Sequence, residues 1–262
     1  MNKPRVLKLA SWNVNSLKVR LEQVLQWIES SHVDVLALQE TKMTDEQFPA
    51  AIFQERGLYV VYSGQKTYNG VAVISRYPVE DVVTDVLGLD DPQRRILAVT
   101  VEGIRLINLY VPNGAVVGSD KYDYKLMWLK KVNDFIEQQL NHYPKVAVVG
   151  DFNIAPEDRD VHSPEEWKDC VLVSPAERRA FVQLIELGLN DSFRNFTKDT
   201  EHYSWWDYRA AAFRRNRGLR IDHILLSDAL NGQCLESRID VEPRRDERPS
   251  DHAPVWVTLS VG

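Results

Sequence analysis

The chain has 262 residues, 44% of them hydrophobic, and a formal charge of −6 at pH 7, so it can bury a substantial core as one large domain and is not basic throughout. Its sequence contains no apolar run of membrane-spanning length and no cationic, apolar and small-residue leader. Its two cysteines, Cys170 and Cys234, show neither CxxC nor metal-ligand spacing. The expectation is a soluble protein of a reducing, cytoplasmic compartment, with no disulfide framework and no structural zinc.

In chain order, a first strand is predicted over 6–12, delivering Asn13 and Asn15 at its end. Ser16 can cap a helix whose Leu17, Leu21, Val24, Leu25 and Ile28 recur at amphipathic spacing. A strand over 34–39 follows, with Glu40 just beyond it. Thr44 and Gln47 have capping-box spacing and predict a short helix to Arg56, stopped by Gly57. Short β-branched runs at 59–63, 71–75, 79–86, 95–101 and 105–110 predict an antiparallel meander, and Pro112-Asn113-Gly114 leaves Tyr110 at its last strand end. A helix over 120–140 buries Tyr124, Trp128, Val132, Phe135, Ile136 and Leu140.

The stretch KVAVVGDFNIAP, 145–156, combines a strand buried on both faces with an abrupt polar end. Gly150 allows a sharp turn, and Asp151 and Asn153 project an acid and an amide to one side. The same residues could instead form an Asx turn that merely closes the strand. A polar loop is expected over 157–169. Ser174, Pro175 and Glu177 start a helix that packs Phe181, Leu184 and Ile185 inward and stops at Gly188. Strands are predicted at 203–206, 221–227, 235–241 and 255–261. Strand clusters in both halves with covering helices predict an α+β fold in a single domain, 1–262: a four-layer α/β sandwich of two packed, mainly antiparallel β-sheets flanked by helices.

Polar residues gather at the strand ends, namely Asn13, Glu40, Tyr110, Asp151, Asn153, Asp222, Asp251 and His252. Rigid sheet edges are suitable supports for one site, although each residue alone could be a cap, a surface acid or a satisfied core group. The segments SWNVNSL (11–17), LQETK (38–42), NLYVPNG (108–114), GDFN (150–153), RGLRIDHIL (217–225) and SDHAPV (250–255) together resemble the endonuclease/exonuclease/phosphatase superfamily. More narrowly they resemble the bacterial exonuclease III-like apurinic/apyrimidinic (AP) endonucleases.

Hydrolysis of a phosphodiester builds negative charge on phosphorus oxygens, which a hard cation on oxygen ligands can offset. The resemblance implies Mg²⁺, with Mn²⁺ as the alternative ion, held chiefly by Glu40 with Asp251 and Asn13. Asp151 would take the proton of the attacking water, Asn153 would orient that water, and His252 would donate to a nonbridging oxygen with Asp222 holding its ring. Tyr110 matches the family's active-site tyrosine, and Lys42 would add positive charge.

As substrate-binding residues, Trp205, Leu219 and Ile221 match the apolar pocket that receives a flipped-out abasic sugar. Arg214, Arg215 and Arg217 would meet phosphates, or else form a solvated loop. The implied partner is double-stranded DNA with abasic sites or damaged 3′ ends, with no membrane involved, bound by a monomer. An RNA- or lipid-directed phosphohydrolase and a silent nucleic-acid scaffold are the alternatives. One departure from the family pattern is Gly114-Ala115-Val116 after Asn113, where some members place a basic residue; it leaves open the balance of AP-endonuclease, 3′-to-5′ exonuclease and 3′-phosphatase activities.

Overall fold

The computed structural model describes residues 5–86, 88, 89 and 91–261. From the N-terminus it forms β1 (Arg5–Asn13), α1 (Leu17–Ser31), β2 (Val35–Gln39), α2 (Ala50–Gln54), β3 (Tyr59–Ser63), β4 (Val71–Ser75), β5 (Glu80–Val83), β6 (Ile96–Val101) and β7 (Ile104–Tyr110). There follow α3 (Asp120–His142), β8 (Val146–Asp151), α4 (Pro164–Trp167), α5 (Pro175–Glu186), β9 (Leu189–Asp191), α6 (Ser192–Phe196), β10 (Asp222–Ser227), α7 (Asp228–Asn231), β11 (Cys234–Ile239) and β12 (Val255–Val261).

Two six-stranded sheets result, ordered β11-β12-β1-β2-β4-β3 and β5-β6-β7-β8-β10-β9. Each has one parallel pair, β1 with β2 and β7 with β8, among antiparallel neighbours, as the predicted fold class requires. The inner faces share a core in which Leu7, Leu9, Val35 and Val73 of the first sheet meet Leu97, Val99, Leu106 and Val149 of the second. Trp27 and Ile28 of α1 cover the outer face of the first sheet, while Trp128 of α3 and Phe181 of α5 cover that of the second. Strands β2, β4 and β8 are buried along their whole length, which is why their apolar runs are unbroken, whereas β12 alternates buried and half-buried positions.

The capping box at Ser174 and Glu177 is present, with Pro175 in the first turn of α5. Elsewhere tertiary contacts override the local signal. The helix expected from Thr44 to Arg56 breaks into a 3₁₀ turn at Asp45–Gln47 and the short α2, because Pro49 supplies no N–H to continue a helix, and Thr44 makes no side-chain cap. Ser16 does not cap α1 either; its φ is 90° and its N–H bonds to the Glu40 carbonyl at 2.8 Å. The strand expected over 79–86 shortens to β5, and the loop expected over 157–169 contains a 3₁₀ turn at Asp158–Asp160 and α4. Residues 203–206 form isolated bridges from Trp205 to Leu219 and His252 rather than a strand. Strand β9 and helices α6 and α7 are too short to leave a periodic signal.

Candidate active site

The strand register explains why residues from every part of the chain meet at one edge. Since β1 and β2 run parallel with Asn13 opposite Gln39, both deliver their next residues to the same side, and antiparallel β12 begins there just after His252. In the other sheet Tyr110 and Asp222 both stand opposite Asp151, at the end of parallel β7 and the start of antiparallel β10. Close strand approach is built in at Gly150, whose φ is +142° and where a Cβ would lie 1.9 Å from the Leu109 carbonyl oxygen. The glycine therefore serves strand contact within β8 rather than the turn expected from its position before Asp151.

At the centre, Asn13 Nδ2 donates to Glu40 Oε1 and to Asp151 Oδ2, each at 2.9 Å. Lys42 Nζ sits 2.8 Å from Glu40 Oε2. Asp151 Oδ1 accepts the Asn153 N–H at 2.9 Å, so the Asx turn does exist, while Asp151 Oδ2 faces His252 Nε2 at 3.7 Å. His252 Nδ1 lies 2.9 Å from Asp222 Oδ2, and Ser204 Oγ donates to the same oxygen at 2.7 Å. Tyr110 completes the rim, with the Arg95 guanidinium 4.6 Å from its ring centroid. Glu40, Lys42 and Asn153 have φ of 53°, 55° and 49°, an uncommon conformation for the first two.

Charge is unevenly distributed over this edge. Burial, reinforced by the nearby Asp222 carboxylate, pushes the Asp151 carboxyl up, against the opposing charge of His252. Burial would lower the His252 imidazole, but Asp222 and Asp151 outweigh it and hold the ring in its protonated form. Burial likewise opposes ionisation of Glu40, which Lys42 and the Asn13 amide nevertheless keep below the usual carboxylate range. Burial and the negative charge of Glu40 and Asp151 push the Tyr110 hydroxyl well above its ordinary value, so it stays a neutral donor.

Asp251 stands beside this centre with both oxygens occupied, Oδ1 by Asn15 Nδ2 at 2.9 Å and Oδ2 by Trp205 Nε1 at 3.0 Å. Among the described residues, the group able to offer ligand atoms within 4.8 Å of one another is Glu40, Asp151 and His252. Asn15, which also accepts from Lys42, and Ser204 belong to the site although the sequence singled out neither for it; only the Asn-x-Asn spacing hinted at Asn15. Of the apolar trio, Trp205 is half-buried and reaches the site through Asp251. Leu219 at 0% exposure and Ile221 at 1% lie beneath it, packed with Val161, Leu172 and Val173. Arg214 and Arg215 are exposed and outside the cluster; Arg217 is exposed and bonded to Glu166 Oε2 at 2.6 Å.

A buried edge of carboxylates, amides and an imidazole at the mouth of a two-sheet sandwich is a hydrolase site, and the chain belongs to the Endonuclease/Exonuclease/phosphatase family, whose pattern it matches over residues 10–252. It is 35% identical to exodeoxyribonuclease III of Haemophilus influenzae over 95% of this chain and 98% of that one. Its fold superposes on the 3′ phosphatase NExo from Neisseria bound to product DNA hairpin, with TM-score 0.96 and 46% identity over 97% of this chain and 99% of that one. An AP endonuclease from Archaeoglobus fulgidus gives TM-score 0.94 and 37% identity over 97% and 100% of the two chains. The expected resemblance to exonuclease III-like AP endonucleases is borne out, and with it the class of enzyme, a metal-dependent phosphodiester hydrolase. No helix among the described residues is long and apolar enough to cross a membrane.

Proposed function

We propose that this chain is a Mg²⁺-dependent DNA repair nuclease that hydrolyses the phosphodiester 5′ to an abasic site and processes damaged 3′ ends, with 3′-to-5′ exonuclease and 3′-phosphatase activity. It would act as a cytoplasmic monomer, the whole chain forming one domain. The observation that carries the reading is the 3.7 Å approach of a carboxylate with raised proton affinity, Asp151, to a protonated imidazole, His252, beside Glu40.

Asp151 takes the proton of the attacking water, and the Asn153 amide, at 3.3 Å from Asp151 Oδ2, orients that water. His252, aimed by Asp222, and the neutral Tyr110 hydroxyl donate to the phosphate oxygens where charge grows. Glu40 would chiefly hold a hard divalent cation through its carboxylate, with the Asp151 carboxylate beside it across the Asn13 amide and Asp251 completing the surroundings through Asn15, while the protonated His252 offers a donor rather than a ligand. Mg²⁺ bound there, or Mn²⁺ in its place, would neutralise charge on the reacting phosphate. Trp205, with Leu219 and Ile221 beneath it, would meet the sugar, and Lys42, Arg214, Arg215 and Arg217 the phosphates.

Burial of Leu219 and Ile221 favours, within this reading, action on 3′ ends over incision at internal abasic sites, because a flipped-out sugar needs an open apolar pocket. Matched duplexes carrying an abasic analogue, a recessed 3′ end or a 3′-phosphate, incubated with and without EDTA, test both statements. Cleavage that EDTA abolishes and Mg²⁺ restores is expected, fastest at the 3′ substrates. Turnover indifferent to EDTA, or none on any duplex, would refute the assignment.

A further inference from the structure

Behind the reaction centre, Lys125 of α3 is enclosed, its side chain 0% exposed. Its ammonium donates to the carbonyl oxygens of Asn113 at 3.1 Å and Asn153 at 2.7 Å and pairs with Glu177, so its three N–H groups have three acceptors. Glu177 is equally buried. Its Oε1 also accepts the Leu172 N–H at 3.0 Å, and its Oε2 accepts the N–H and hydroxyl of Ser174 at 3.1 and 2.6 Å. Gly114 leaves the room this arrangement needs, since a Cβ there would come within 3.1 Å of Lys125 Cδ.

Burying an ion pair in this way costs several kcal/mol of desolvation, and an apolar pair of similar volume would stabilise the fold at least as well. What an apolar pair could not do is grip two backbone carbonyls. The two that Lys125 grips belong to the turns that build the site. Asn113 Nδ2 donates to Asn153 Oδ1 at 3.2 Å, and Asn153 Nδ2 in turn reaches the Val111 carbonyl at 3.0 Å and Asp151 Oδ2 at 3.3 Å. Any drift of either turn therefore swings the Asn153 amide away from Asp151.

We propose that Lys125, backed by Glu177, is a positioning residue for catalysis: by tying the Asn113 and Asn153 turns together it sets the aim of the Asn153 amide at the proton acceptor Asp151. This rests on the nuclease reading of the site. Burial lowers the proton affinity of Lys125, while Glu177 and Asp151 oppose that shift, consistent with an ammonium retained for its donors.

The decisive comparison is wild type against Lys125→Met/Glu177→Gln, which removes the grip without stranding a buried charge. Assayed on a 3′-phosphate duplex well below its own Tm, the folded double variant should lose roughly 10- to 100-fold in kcat with little change in KM, the signature of a displaced catalytic group. Amide exchange should quicken in segments 111–115 and 151–155 and stay unchanged in α3 and in α5 beyond its first turn, which Glu177 itself caps. A folded double variant with wild-type kcat, or with no change in exchange at those turns, overturns the proposal. Should it not fold, Glu177→Gln alone decides: with the carboxylate that backs Lys125 removed, the folded protein should lose kcat with little change in KM and exchange faster at 151–155, and a folded Glu177→Gln protein with wild-type kcat and wild-type exchange refutes the grip. Wild type failing in the same assay would instead refute the nuclease reading, and the exchange measurement stands apart from activity.

Discussion

Two clusters of buried charge meet at the start of β10, two residues apart, and they behave in opposite ways. Arg220 belongs to the first: its Nε lies 2.7 Å from Asp160 Oδ1 and its Nη2 2.7 Å from Asp191 Oδ2, while Arg194 pairs with the same Asp160 oxygen. Burial would raise the Asp160 carboxyl, yet the two arginines bring it down to about 2, so its charge is fully matched. Asp222 belongs to the second cluster, where Asp151 is pushed up by burial and by Asp222 itself. Burial of charge is common to both, but only the second keeps an acid that can exchange a proton. That imbalance, rather than burial, marks the reactive cluster.

The largest effect should come from Asp151→Asn, which keeps the shape and removes the proton acceptor. Turnover on a 3′-phosphate duplex should fall by about 10² to 10⁴-fold while the Tm stays near that of wild type. Near-normal turnover would erase the difference between the clusters. Asp160→Asn should do the reverse, leaving Arg220 and Arg194 underpaired in the core. Denaturant unfolding should show a loss of about 3–5 kcal/mol, with kcat per folded molecule largely intact; a stability change within error would mean that the matched cluster is not holding the fold.

Acid titration sharpens the contrast. His223, at the junction, donates from Nε2 to the Ile154 carbonyl at 2.9 Å and accepts at Nδ1 from Arg220 Nη1 at 3.1 Å, and burial with the Arg220 charge lowers its imidazole to about 4. A folded value below the unfolded one, ordinarily about 6.5, means that the unfolded chain binds more protons between them. The stability supplied by neutral His223 is thus complete above pH 6.5 and lost as pH falls towards 4, about 3 kcal/mol in all. Unfolding curves of wild type and His223→Gln over that range should converge as the pH drops; parallel curves would remove His223 from the account.

The smallest effect is expected at the surface. Replacing Arg214 and Arg215 by alanine should weaken DNA binding whatever the lesion and flatten its salt dependence by roughly one unit per lost contact. Arg217→Ala should do less, because its guanidinium is already engaged by Glu166. Unchanged slopes in a salt titration would leave these arginines as a solvated loop.

Much of the site was legible before any coordinates. The strands end where short, largely apolar runs meet Asn13, Glu40, Tyr110 and Asp151, and period and punctuation are local properties that a sequence displays directly. The helix start at Ser174 is equally local, since its capping box spans three residues. The arginine-rich stretch shows the limit of such reading. Arg220 sits in the same basic run as Arg214 and Arg215, yet they are exposed and it is buried, because the acids that pair with it, Asp160 and Asp191, come from distant parts of the chain. The same holds for Asn15 on Asp251, Ser204 on Asp222 and Lys125 on the Asn113 and Asn153 carbonyls. Residue order determined which polar groups stand at strand ends; the parallel pairing of β1 with β2 and β7 with β8, and the packing of the two sheets, decided which of them touch. The physical reason is that hydrogen bonds between side chains far apart in sequence leave no period to read, and exist only once burial has brought their partners within about 3 Å.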